Sequence, residues 1–238
     1  MAAFEKILAM DSSGAACSAA LWRRGAVVAR RCQAMTRGHA EALMPMLVET
    51  MAEAGETFRA LAAVAVTIGP GAFTGIRIGL AAARGIGLAA NIPVLGVTTF
   101  AAIAEAVSEA ERADRKLVVL LDSKRGDVFV QEFAAERAAV GLPAVLAPDA
   151  FPHRLASGSF ILAGDGIAVV RSHISAANLD IGYSVVEGPA EACWVAQLAA
   201  RSAIGTTTRS PAPLYLRAPE VRSPFAATTE SRAGVPDR

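Results

Sequence analysis

The chain has 238 residues, a formal charge of +1 and 53% hydrophobic residues, with only 5% aromatic. That length buries a sizeable core in one large or two small units, and the near-zero charge excludes a chain that grips nucleic acid alone through a strong positive field. Cys17, Cys32 and Cys193 lie far apart without Cys-x-x-Cys spacing, which argues against a disulfide framework or a thiolate zinc site and fits a cytoplasmic protein.

Phe4-Glu5-Lys6 leads at once into an apolar run, so no secretory signal is read. Lys6 to Met10 reads as a central strand ending in the turn Asp11-Ser12-Ser13-Gly14. Cys17 to Trp22 and Ala26 to Ala34 read as two further strands around the tight turn Arg23-Arg24-Gly25. The pairs Arg23-Arg24 and Arg30-Arg31 bracket that hairpin as edge charges that discourage strand pairing. From His39 to Ala54, Leu43, Met44, Leu47, Val48 and Met51 recur at helical steps. Pro45 is placed near the first turn of this helix, where a missing N–H costs least, and Gly55 ends it.

Leu61 to Ile68 reads as a buried strand, followed by Gly69-Pro70-Gly71-Ala72-Phe73-Thr74-Gly75-Ile76-Arg77. A glycine-rich turn of this kind brings bare backbone N–H groups close to an anion or to another chain. It lacks both the Gly-Lys-Ser/Thr ending of a P-loop and the Gly-x-Gly-x-x-Gly of a dinucleotide site. Ile76 to Ala90 reads as a helix of small residues, and Arg84 and its glycines interrupt what would otherwise resemble a membrane span. Pro93 to Val97 is a fifth strand, Thr98 or Thr99 caps a helix over Phe100 to Ala110, and the polar stretch Ser108 to Arg115 marks a domain junction. The order β-β-β-α-β-α-β predicts a mixed sheet in an α/β layer fold.

Lys116 to Asp122 again ends in aspartate, with the turn Ser123-Lys124-Arg125-Gly126 and a returning strand, Val128 to Phe133. Two aspartate turns about a hundred residues apart are what a duplicated, two-lobed fold leaves in a sequence. Phe160 to Ala163 is a short strand before Gly164-Asp165-Gly166, and Ala190 to Ile204 is the last strong helix. The predicted organisation is a first lobe over 1–110, a second over 111–222 with its last helix packed back on the first, and a disordered tail over 223–238.

Several strings together resemble the TsaB (YeaZ-type) family of the bacterial tRNA threonylcarbamoyladenosine machinery. They are Leu8-Ala9-Met10-Asp11-Ser12-Ser13 with Cys17-Ser18-Ala19-Ala20-Leu21, then His39 with Leu43 and Pro45, and the glycine string through Gly79. Asp122-Ser123-Lys124-Arg125-Gly126-Asp127-Val128-Phe129 and Pro213-Leu214-Tyr215-Leu216-Arg217 extend the likeness. The resemblance implies an actin-like (ASKHA, RNase H-like) two-lobed α/β fold. It implies an accessory, non-catalytic subunit beside a TsaD-type catalytic subunit and a TsaE-type ATPase, with tRNA reached through the complex and no membrane. In such proteins two first-lobe helices pack against the same pair in the catalytic subunit, or against themselves in a homodimer. Leu43, Leu47, Met51, Ile76, Leu80 and Arg84 are therefore the expected partner interface.

Where the catalytic relative holds metal through His-x-x-x-His, this chain has Val97-Thr98-Thr99-Phe100-Ala101-Ala102-Ile103, which offers no imidazole or carboxylate. His39, His153 and His173 fall at unrelated places, so no metal is expected. Asp11, Ser12, Ser13, Gly71 and Thr74 are candidates for a vestigial phosphate loop, with Gly164-Asp165-Gly166 as a remnant of an adenine-side loop. The competing reading of Asp11 is a strand-end carboxylate closing an Asx turn. No cofactor is expected in the isolated chain, and ATP or ADP only at an interface of the complex. Gly69, Pro70, Phe73, Gly75 and Arg77 form the signature loop, with Phe73 as a core or interface plug and Arg77 answering a carboxylate such as Asp11 or one on a partner. The alternatives are an actin-like ATPase or small-molecule kinase using Asp11 and Gly71, and a glycoprotease-like hydrolase needing a metal or an activated nucleophile.

Overall fold

In a computed structural model, residues 4–134, 137–155, 158–174, 180–202 and 211–217 are described. The tail read over 223–238 lies outside them. The first sheet contains β1 (Lys6–Asp11), β2 (Ala16–Arg23), β3 (Ala26–Ala34), β4 (Ala63–Gly69) and β5 (Val94–Thr98), in the order β3-β2-β1-β4-β5. β1, β2 and β3 pair antiparallel, and β4 and β5 add in parallel through crossovers. Its helices are α1 (His39–Glu53), α2 (Phe73–Ala90) and α3 (Thr99–Ala106).

After a short α4 (Glu109–Arg112), the second sheet repeats the plan with β6 (Lys116–Asp122), β7 (Val128–Phe133), β8 (Ala139–Leu146), β9 (Ser159–Ala163) and β10 (Asp180–Tyr183). Its order, β10-β9-β6-β7-β8, has the same antiparallel and parallel pairings. Asp11 and Asp122 thus end equivalent strands, β1 and β6. This is the duplicated topology of an actin-like, two-lobed α/β fold. The remaining helices are α5 (Phe151–Arg154), α6 (Ile167–Ile174) and α7 (Ala192–Ser202).

Strands covered on both faces read as continuous apolar runs, and β1 shows why. Leu8 and Met10 face the layer of α1 and α2, where they meet Leu43, Leu47, Ile76 and Leu80. Ile7 and Ala9 belong to a second core with Phe100 and Ile103 of α3 and Val195 and Ala199 of α7. That core also takes in Leu117, Val119 and Phe133 of the second sheet, so α3 and α7 form a layer between the sheets. Glu105 of α3 pairs with Arg201 of α7 and with Arg137 before β8, adding charge contacts across this layer.

Several boundaries differ from the sequence reading. Pro45 stands in the second turn of α1, inside the helix rather than at its start. The helix expected over Phe100 to Ala110 stops at Ala106, because the Ser108–Glu111 capping box starts a new turn. The Thr98 cap is present, its hydroxyl accepting from the Ala101 N–H at 3.1 Å. Three of the four edge arginines are ion-paired: Arg31 with Glu49 and Glu53, Arg23 with Glu56 and Arg24 with Glu5. Among the described residues α2 alone is long and apolar enough to cross a membrane, and it is seated on β4.

Candidate functional site: the interlobe cleft and the α1–α2 face

The Asp11 turn and the glycine string meet at one end of β1 and β4. The Ala72 N–H donates to Ser13 O at 2.8 Å, and Ser12 Oγ donates to Gly75 O at 2.9 Å. A Cβ at Gly71 or Gly75 would collide with the carbonyl oxygens of Ser13 and Ser12. These glycines therefore serve a close contact between two loops of the same chain. α2 begins at Phe73, three residues before the helix read from the sequence, and so takes Gly75 inside it.

Asp11 is fully buried, and its Oδ1 accepts from the Ser13 N–H (3.2 Å), Ser13 Oγ (2.6 Å) and Thr67 Oγ1 (2.5 Å). This is the Asx-turn arrangement, tightened by Thr67. Burial pushes the carboxyl above the usual carboxylate range, against the lowering effect of these hydrogen bonds. Since the folded pKa lies above the unfolded value of 3.8, ionisation of Asp11 opposes folding. Stability attributable to this group is lost as pH rises from 3.8 through the folded value and is level above it. Asp11→Asn keeps an acceptor for all three donors, so its melting temperature gains on the wild type as pH is raised over that window. Asp11→Ala orphans buried donors and costs on the order of 3 kcal/mol. Thermal unfolding from pH 4 to pH 8 checks both; a gap between Asn variant and wild type that shrinks with rising pH contradicts the assignment.

Beyond these loops a cleft of about 650 Å³ opens between the lobes, lined among others by Ser13, Gly71, Phe73, Lys124, Arg125 and Tyr215. The second aspartate turn borders it. Lys124 Nζ lies 2.9 Å from Asp122 Oδ2 and 3.6 Å from Asp165 Oδ2, while the Asp122 N–H donates to Asp165 Oδ1 at 3.0 Å. The donor set does not fit the magnesium–nucleotide that an actin-like fold implies. The first carboxylate is fully buried, with Oδ1 taken up by its own turn and Oδ2 without a hydrogen-bond partner among the described residues, and the second pair already holds a lysine. Among the described residues no group of three or more His, Cys, Asp or Glu is placed to hold a metal ion. His39 bonds through Nε2 to Gly14 O at 3.1 Å, while His153 and His173 lie on α5 and α6. Burial pushes the Cys17 thiol up to about 11 and raises Cys32 and Cys193 as well, which disfavours the thiolate a cysteine nucleophile needs.

The expected interface residues need correction. Leu43, Leu47, Met51, Ile76 and Leu80 are buried beneath α1 and α2, in the core shared with β1 and β4, where a partner cannot reach them. Their helical spacing marked the side facing the chain's own sheet. The outward side carries Met44 (42% exposed), Val48 (51%) and Leu88 (86%), with Ala52, Ala81, Gly85 and Ala89 exposed among them. The two helices that carry these residues are in contact. A Cβ at Gly75, Gly79 or Gly87 would meet the chain itself, but at Gly85 it would meet open space.

Arg84 is exposed and donates to Pro211 O at 2.6 Å. Arg77 does not answer Asp11: its Nε donates to Tyr215 Oη at 3.0 Å, and its guanidinium lies 3.8 Å over the Phe73 ring. Phe73 is not a core residue, being 40% exposed on the cleft wall against Tyr215, and Thr74 is exposed beside it. Sequence reasoning gave Lys124 and Tyr215 no role. The only signal was their place in the strings that carried the resemblance.

The duplicated sheets and the cleft between them define an actin-like α/β protein. The family model for TsaD, tRNA N6-adenosine threonylcarbamoyltransferase, matches residues 32–217. The tRNA threonylcarbamoyladenosine biosynthesis protein TsaB of Escherichia coli is 32% identical over 167 residues, 68% of this chain and 71% of that protein. An uncharacterized protein of Mycobacterium tuberculosis is 31% identical over 229 residues, 94% of this chain and 96% of its own. The structure of YeaZ from Pseudomonas aeruginosa superposes with a TM-score of 0.72 at 28% identity, covering 89% of this chain and all of that one. The chain belongs to the TsaD family, as a TsaB/YeaZ-type member.

Proposed function

We propose that this chain is an accessory subunit in tRNA threonylcarbamoyladenosine biosynthesis, and that it docks and activates a TsaD-type catalytic subunit through the α1–α2 face. The observation that carries the reading is the exposure of Met44 and Val48 on α1 and of Gly85 and Leu88 on α2, two helices in contact. An interior helical glycine costs about 1 kcal/mol against alanine, and at Gly85 no contact among the described residues accounts for it. Close approach of a partner helix does. In the absence of the catalytic subunit, the same face pairs two copies of this chain. A TsaE-type ATPase joins the assembly, tRNA meets this chain through its partner, and any ATP or ADP is held across an interface. Fusion of the two loops and the Lys124-filled carboxylate pair support a role without chemistry of its own.

The test is a reconstituted threonylcarbamoylation assay on tRNA with the TsaD-type and TsaE-type proteins and a supply of threonylcarbamoyl-adenylate. Omitting this chain stops turnover. Turnover undiminished by the omission removes the proposal.

A further inference from the structure

Segment 211–217 crosses from α2 to the second lobe. At its start Arg84 donates to Pro211 O at 2.6 Å, and Pro211 lies over β5 where a Cβ on Gly96 would come within 2.6 Å of it. The Leu214 N–H then donates to Ile68 O at 2.7 Å, and Tyr215 Oη accepts from Arg77 Nε at 3.0 Å. At the far end Arg217 pairs with Asp127, in the turn joining β6 to β7. Leu214 through Arg217 form part of the cleft wall, as do Asp122 to Arg125.

We propose that this segment is a relay that couples docking on α2 to the spacing of the two cleft walls; the inference rests on the docking reading above. Arg77 and Arg84 are exposed residues of α2, so their bonds to the segment compete with water in the free chain. A partner seated on α2 excludes that water, and the same bonds strengthen in the lower local dielectric. Docking therefore favours the arrangement in which the segment is held at Pro211 and Tyr215. Arg217 carries that preference to the Asp127 turn. The ligand of the relay is the partner itself, and its output is the position of the 122–127 turn, whose residues 122–125 line the cleft.

Hydrogen exchange on the full chain, with and without the TsaD-type subunit, tests this. In the wild type the partner slows exchange at Leu214 and at residues 123–127 by about five- to tenfold. In Arg217→Ala, and in the more conservative Asp127→Asn, the partner binds with unchanged affinity and still slows Leu214, but no longer slows 123–127. Protection of 123–127 that persists in both variants, or a wild-type turn indifferent to the partner, overturns the relay alone. Failure of the wild-type chain to bind the partner overturns the docking reading and the relay with it.

Discussion

Glutamate at both Val48 and Leu88 abolishes co-purification with the TsaD-type subunit and leaves the fold intact. Both side chains are more than half exposed, one on each helix of the face. Surface substitutions of this kind change stability by about 0.5 kcal/mol or less, which moves the melting temperature of a chain this size by roughly 2 °C or less. At the centre of a helix–helix interface the cost is of another order. Each carboxylate loses its hydration without gaining a partner, a penalty of several kcal/mol, and every 1.4 kcal/mol is about tenfold in affinity. Affinity falls by about a thousandfold or more. Equal recovery of the catalytic subunit by variant and wild type would show that the face is not the contact.

Leu80→Glu, on the same α2, behaves in the opposite way. Leu80 is 3% exposed and packs in the core shared by α1, α2, β1 and β4. The substitution loses about 2–3 kcal/mol of apolar transfer and adds a carboxylate without a partner, at several kcal/mol more. Together these consume most of a typical domain stability of about 5–15 kcal/mol. The variant is expected to lose its cooperative thermal transition and its soluble yield. A folded Leu80→Glu protein with a near-native melting temperature would mean that α2 is not seated on β4 as described. The pair of experiments separates docking from folding, which either substitution alone would confound.

The contrast also shows how far the sequence could be read. Apolar periodicity placed α1 and a run of small residues placed α2, but periodicity reports the side facing the chain's own sheet. Leu43, Leu47 and Met51 were legible in one run with Met44 and Val48, and the outward Met44 and Val48 separate from it only once the buried side is known. The doubled aspartate turn was legible because β1 and β6 are covered on both faces and end alike. The strand β8 was not: Gly141 and Pro143 interrupt its pattern, as an edge strand tolerates. The short β10 and α6 gave too few residues for a period to emerge. In the site, the local Asx turn at Asp11 follows from its neighbours in sequence. The contacts of Arg77 and Arg84 with Tyr215 and Pro211 join residues more than 120 positions apart, and no local pattern announces them.

Hydroxyl-radical footprinting of the methionines, with and without the TsaD-type subunit, reads the docking face directly. Met44 is 42% exposed, whereas Met46 and Met51 on the same helix are buried and serve as internal controls. Addition of the catalytic subunit should suppress oxidation of Met44 and leave the slow oxidation of Met46 and Met51 unchanged. Met44 oxidised as fast in the assembled complex as in the free chain would contradict the account.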